Sequence, residues 1–290
     1  MKENMNGRIC LVTGGTNGIG KATAHALAQM GATVVIVGRN APKTARLVEE
    51  IRAASGNKNV DFLLADLSSQ REVRSLADEF ESKYPYLHVL LNNAGGFFIQ
   101  RQLSVEGIET TFALNHLASF LLTNLLLDTI KASAPARIIN VSSGAHTSGK
   151  IDFDNLQGEQ SYGPRAYDNS KLANILFTRE LSRRLEGSRV TANALHPGFV
   201  ATGFAKNNGR VIAALVSILA PLVARSPAKG AETSIYLASS PSVENITGEY
   251  FYDSHVISTA PQATDMVVAR QLWEVSTEMV QLTGRLPARA

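Results

Sequence analysis

The sequence predicts a doubly wound α/β sheet of about seven parallel strands with helices on both faces. Three observations carry this. Short Val/Ile/Leu runs alternate with amphipathic stretches along the whole chain, the pattern of strands buried on both faces by crossover helices. The first run closes on a glycine-rich turn that opens a helix. The length, 290 residues at 44% hydrophobic, suffices for one large core. A single domain over residues 1–290 is expected.

The elements follow in order. Arg8–Thr13 reads as a strand because it is short, β-rich and closed by glycines. Gly18–Met30 is helical, with Ala22, Ala26, Leu27 and Met30 on its apolar side. Thr33–Gly38 is a strand, Pro42–Ala54 a helix and Val60–Leu64 a strand. Gln70–Lys83 is a helix and Leu87–Leu91 a strand. A long helix is expected from Val105 to Lys131. Arg137–Val141 is the next strand, Tyr167–Glu186 a helix and Val190–Leu195 a strand. Ala228–Ala238 is a helix, Glu249–Tyr252 a seventh strand, Thr264–Leu282 a last helix and Gly284–Ala290 a tail. His146–Arg165 and Thr202–Ser226 are irregular. Both follow strands and should lie over the ligand side of the sheet.

Net charge is +3 and the basic residues are scattered, with no run longer than Arg183-Arg184. No basic stripe points to a nucleic acid. The single cysteine, Cys10, lies in an apolar run and reads as a packing residue of a reducing compartment. Met1–Gly7 is polar and lacks a signal peptide's apolar segment. The longest apolar stretch, Val211–Ala224, is shorter than a membrane span and contains Pro221. A cytoplasmic protein with no integral membrane segment is the expectation.

Gly14, Thr16, Asn17, Gly18, Ile19 and Gly20 form the first strand-to-helix turn. Glycines there let the backbone approach a pyrophosphate, which the helix N-terminus stabilises. The spacing is Gly-x-x-x-Gly-x-Gly, which alone also fits a plain turn. Arg39 ends the second strand where an acidic residue would hold an NAD ribose. A cation there pairs with a 2′-phosphate, so NADP(H) is expected over NAD(H), with Lys43 assisting. Arg39 as a solvated strand-end residue is the alternative. Asp66 and Leu67 end the third strand, where adenine should lie; Asp66 fits a helix N-cap equally well. Asn93, Ala94 and Gly95 end the fourth strand with small residues that let the backbone pass close to a cofactor. A turn without ligand is the alternative.

Tyr167 and Lys171 are four apart on one helical face. An ammonium ~5 Å from the hydroxyl, at an effective dielectric of ~20, favours phenolate by about 3 kcal/mol. From a reference near ~10, the hydroxyl would approach neutrality and serve as a general acid/base. His116, His146 and His196 lack metal-ligand spacing and read as core or loop histidines, so no metal is expected.

The ordered set of the glycine turn, Asn92-Asn93-Ala94-Gly95, Asn115, Ser142-Ser143, Tyr167 and Lys171 resembles the short-chain dehydrogenases/reductases. The resemblance runs from about Arg8 to Leu282. Asn115-His116-Leu117, Asn140–His146, Lys171–Leu181 and His196-Pro197-Gly198 look closer to the retinol dehydrogenase-like branch. It implies a Rossmann-type fold with Tyr167 as proton donor or acceptor and Lys171 lowering its pKa and touching the nicotinamide ribose. It implies Ser143 on the substrate oxygen, and Asn115 holding the long helix and a water. Pro197, Gly198, Val200 and Thr202 would pack around the nicotinamide. It also implies a substrate lid at about 202–226 and, in many members, homo-oligomers through the long helices. Three departures stand out. Polar residues precede the first strand where many members carry an apolar anchor, Ala118-Ser119 replaces a frequent Gly-His, and the usual charged residue near Ala201 is missing.

Apolar Val211–Ala224, with Phe97, Phe98 and Phe204, suits a hydrophobic aldehyde, ketone or alcohol; a dimer contact or core helix is the alternative for 211–224. The expected function is an NADP(H)-dependent oxidoreductase of the carbonyl reductase or alcohol dehydrogenase kind. A protochlorophyllide-reductase-like ring reductase would need a catalytic cysteine, which Cys10 in the first strand cannot supply. A non-catalytic, cofactor-binding regulatory protein would need no Asn115/Ser143/Tyr167/Lys171 set.

Overall fold

A computed structural model describes residues 3–200 and 225–282. The first strand, β1 (Ile9–Val12), leads through a turn to α1 (Gly18–Gln29). Then come β2 (Thr33–Gly38), α2 (Ala41–Ser55), β3 (Val60–Leu64), α3 (Gln70–Lys83) and β4 (Val89–Asn92). Next are α4 (Thr110–Phe112), a π-helical turn (Ala113–Leu117), α5 (Ala118–Leu125) and α6 (Leu127–Ala132). The chain continues with β5 (Ala136–Val141), α7 (Arg165–Arg184) and β6 (Val190–Leu195). It closes with α8 (Pro227–Ser239), β7 (Tyr250–Tyr252), β8 (His255–Val256) and α9 (Met266–Met279).

The strands form one sheet in the order β3-β2-β1-β4-β5-β6-β7-β8. All neighbours are parallel except β7 and β8. The order reverses between β1 and β4, which opens a crevice at their carboxyl ends. Alternate β1 residues feed opposite layers. Leu11 joins the layer of α3, α5, α7 and α9, while Cys10 and Val12 join that of α1, α2 and α8. In the first layer Trp273 packs edge-on against Phe120, centroids 4.9 Å apart, and the Arg184 guanidinium covers its ring at 4.2 Å.

Three expectations change. The sheet has eight strands, because Asp253 and Ser254 both adopt positive φ (47° and 65°) and fold β8 back on β7. Asp-Ser is a weaker hairpin signal than Asp-Gly. The helix expected from Val105 starts at Thr110. Gly107 turns the chain at φ 76°, and buried Glu109 caps α4 by accepting from Thr111 N and Phe112 N at 2.7 and 2.8 Å. Apolar Val105 and Ile108 mimic a helical period across that turn. Downstream the expected helix is also broken, by the π turn and again at Leu126 (φ −91°, ψ 6°). The cap of α3 is Ser69, not Asp66; Asp66 instead accepts from Ser68 N and Oγ at 3.0 and 2.7 Å. The expected lid, with Thr202, Phe204 and Val211–Ala224, and the tail from Gly284 lie outside the described residues.

Candidate active site

The glycine turn is shaped by neighbours that leave no room for side chains. Gly14 has φ 61°, and a Cβ there would lie 2.8 Å from Ala94 Cα. A Cβ on Gly20 would lie 2.5 Å from Gly14 O and 2.6 Å from Asn93 Nδ2. Asn93 draws the turn against the end of β4, its Nδ2 donating to Thr13 O and Gly14 O at 2.9 and 3.2 Å. Thr13 Oγ1 reciprocates by accepting from Asn93 N and Ala94 N at 2.9 and 3.1 Å. Asn17 gives α1 no side-chain cap; its Oδ1 accepts from Lys43 Nζ at 2.7 Å instead. The first N–H groups of α1 are therefore left without a side-chain cap at a positive helix end, the setting for a phosphate.

Arg39 is exposed at the end of β2. Through Asn17, Lys43 belongs to the same corner. Asp66 is half-buried at the end of β3, and Leu67 belongs to the core. After β6, Gly198 (φ 79°) donates its N–H to His196 Nδ1 at 3.2 Å. Val200 pairs with Arg225 in an isolated parallel bridge and packs on Gly230 of α8, whose other close neighbour is Ile19. The structure thus draws Gly14, Gly20, Asn93, Ala94, Ile19 and Val200 around one crevice. Thr202 lies outside the described residues.

Beside the crevice stand Asn115, Ser143, Tyr167 and Lys171. Tyr167 is hydrogen-bonded to Ser143, which caps the short 3-10 turn after β5. Phe97 meets the Tyr167 ring edge-on at 5.7 Å. The Lys171 ammonium is buried and donates to Val141 O at 3.0 Å. A Cβ on Gly95 would lie 3.1 Å from Asn115 Oδ1 and 3.5 Å from Lys171 Nζ, so a side chain there would crowd Asn115. Asn115 lies in the π turn. Its Oδ1 accepts from Gly96 N (2.7 Å), and its Nδ2 donates to Gly96 O and Ser170 Oγ (both 2.9 Å). Ser142 is structural: its Oγ donates to Lys171 O at 2.7 Å.

The electrostatics differ from the sequence argument. Burial pushes the Tyr167 hydroxyl up to about 12, eased by the Ser143 hydrogen bond and reinforced by Asp168. Burial also brings the Lys171 ammonium down to about 8. Both charged forms lose hydration, and that outweighs the attraction an exposed pair would have. Cys10 is buried in β1 with its thiol pushed up to about 12 by burial, so it brings no thiolate to the site.

Sequence reasoning missed Thr13, Ser170 and Asn174. Asn174 carried a signal: it lies three residues after Lys171 and seven after Tyr167, on the same stripe of α7. Among the described residues no group of three or more His, Cys, Asp and Glu could hold a metal. No helix among them is long and apolar enough to cross a membrane.

A reversed sheet order with a glycine cradle at the switch point defines a dinucleotide-binding α/β protein. The chain belongs to the short-chain dehydrogenases, whose family model matches residues 8–211, and is an oxidoreductase of that family. It is similar to human (Homo sapiens) retinol dehydrogenase 14, at 45% identity over 96% of this chain and 88% of that one. Human retinol dehydrogenase 11 is 42% identical over 95% and 86%. Among solved structures, an uncharacterized protein from Mycobacterium Paratuberculosis superposes with TM-score 0.78 at 30% identity, covering 96% of this chain and 95% of that one. The RhlG/NADP complex from Pseudomonas aeruginosa gives TM-score 0.68 at 29% identity, covering 86% and 95%.

Proposed function

We propose that this chain is an NADP(H)-dependent oxidoreductase that interconverts hydrophobic aldehydes or ketones and their alcohols. The observation that carries this reading is the Tyr167–Ser143 pair beside buried Lys171, at the carboxyl ends of the strands and next to the glycine cradle. The cradle fits a dinucleotide because Gly14, Gly20 and Gly95 stand where any Cβ would meet backbone or a catalytic side chain. A nicotinamide held there supplies or accepts the hydride. Gly14, Gly18 and Gly20 would hold its pyrophosphate, and Lys171 its ribose.

The chain's own residues handle the proton. In reduction, Tyr167 Oη gives its proton to the carbonyl oxygen as negative charge develops there. Ser143 Oγ donates to the same oxygen and needs no reorganisation, because the turn after β5 already holds it. Lys171 stabilises the resulting tyrosinate. Oxidation runs the same steps backwards. Arg39 and Lys43 at the β2 corner support a 2′-phosphate, and the similar RhlG structure is an NADP complex. Phe97 at the Tyr167 ring supports an apolar substrate, and the retinol dehydrogenase relatives point to alcohols of that kind.

The test is NADPH oxidation, with NADH in parallel, against apolar aldehydes and ketones that include retinal. Turnover faster with NADPH is expected. Tight dinucleotide binding with no turnover of any carbonyl would overturn the reading.

A further inference from the structure

His116 sits beside Asn115 in the π turn, yet touches nothing in the crevice described above. It is fully buried, with Phe112, Phe120 and Phe177 at centroid distances of 5.0, 6.1 and 6.1 Å. Burial keeps its ring neutral, so it carries one N–H.

The partners decide which nitrogen carries it. Asn174 Nδ2 donates to the backbone carbonyl of Asn115 at 2.9 Å. A carbonyl only accepts, so the amide's Oδ1 is the atom turned to His116 Nδ1, at 3.4 Å. Oδ1 also only accepts, so Nδ1 bears the proton. Nε2 then has only a lone pair, and Ser276 Oγ, 2.9 Å away, must donate to it. The three bonds run one way: from α9, through the π turn, to α7, and back to the Asn115 carbonyl.

This chain ends on the catalytic stripe. Asn174 follows Tyr167 and Lys171 along one face of α7. The Asn115 side chain is tied to Ser170 Oγ, which donates to Tyr167 O at 2.7 Å. Slack at Asn174 would let α7 rotate against the π turn and carry the Tyr167 hydroxyl away from Ser143. Small misplacements of that kind lower turnover without removing any reacting group.

We propose that Ser276, acting through His116 and Asn174, is a positioning residue for the Tyr167–Ser143 pair. The C-terminal helix thereby sets turnover from outside the site. This rests on the oxidoreductase reading above.

The test is steady-state kinetics on the full-length parent, S276A, H116F and their double variant, with a carbonyl that the parent reduces. Dinucleotide titration and thermal melts accompany it. In S276A, KM and dinucleotide affinity should stay within about two-fold while kcat falls about five-fold, the worth of one buried hydrogen bond. Adding S276A to H116F should cost nothing more, because both cut the same chain. An active parent with unchanged kcat in S276A, or losses that multiply in the double variant, overturns the relay alone. A parent inactive with every carbonyl overturns the oxidoreductase reading and the relay with it. Should H116F not fold, the kcat-against-KM split in S276A decides.

Discussion

Lys171 reaches across the face of Tyr167, its Nζ 5.5 Å from the ring centroid, and anchors on the carbonyl of Val141 at 3.0 Å. The ammonium is thereby held against the end of β5 rather than left to follow the tyrosine hydroxyl. One helix supplies both groups, and the sheet fixes where the cation stops.

Tyr167→Phe removes the proton donor and leaves the ring packed against Phe97. Turnover should fall by about 10²–10⁴-fold while dinucleotide affinity is retained. Single-turnover kinetics and a fluorescence titration check this, and full activity in the variant rules out Tyr167 as the acid.

The pH dependence follows from the two burial effects. Reduction needs a protonated Tyr167, and a hydroxyl at about 12 keeps its proton through the alkaline range. Alkaline loss of reduction should instead track Lys171 near 8. The stability sign is separate. The lysine's folded value, about 8, lies below its ordinary 10.5, so the unfolded chain binds the extra proton between them. The parent therefore gains stability as pH rises from 8 to 10.5, by about 3 kcal/mol relative to K171M. Denaturant unfolding of both proteins at the two ends of that window measures the difference.

Gly20→Ala would force a methyl to 2.5 Å from Gly14 O and 2.6 Å from Asn93 Nδ2. A destabilisation of about 1–3 kcal/mol and weaker dinucleotide binding are expected. A variant with parental melting temperature and affinity would show that the turn is not the cradle.

Arg39→Asp places a carboxylate where a 2′-phosphate would sit. The NADPH-to-NADH ratio of kcat/KM should drop by at least about ten-fold. An unchanged ratio removes Arg39 from cofactor selection.

Much of this protein is local information. Buried strands such as Thr33–Gly38 and Val190–Leu195, and the one-turn spacing of Tyr167 and Lys171, need only chain geometry and side-chain chemistry to be read. Glycines 14, 18 and 20 announce a tight turn for the same reason. Tertiary structure decided the rest. The helix expected at Val105 gives way to a turn because Gly107 takes a positive φ and buried Glu109 finds a partner distant in sequence, accepting from Tyr162 Oη at 3.0 Å. Helical spacing places an ammonium beside Tyr167 but carries no record of how much water surrounds the pair. Burial reverses the expected direction of the Tyr167 shift. The bonds from Ser276 to His116 and from Asn174 to Asn115 span 160 and 59 residues. Periodicity along one helix cannot report a contact made by three segments that meet only when the chain folds.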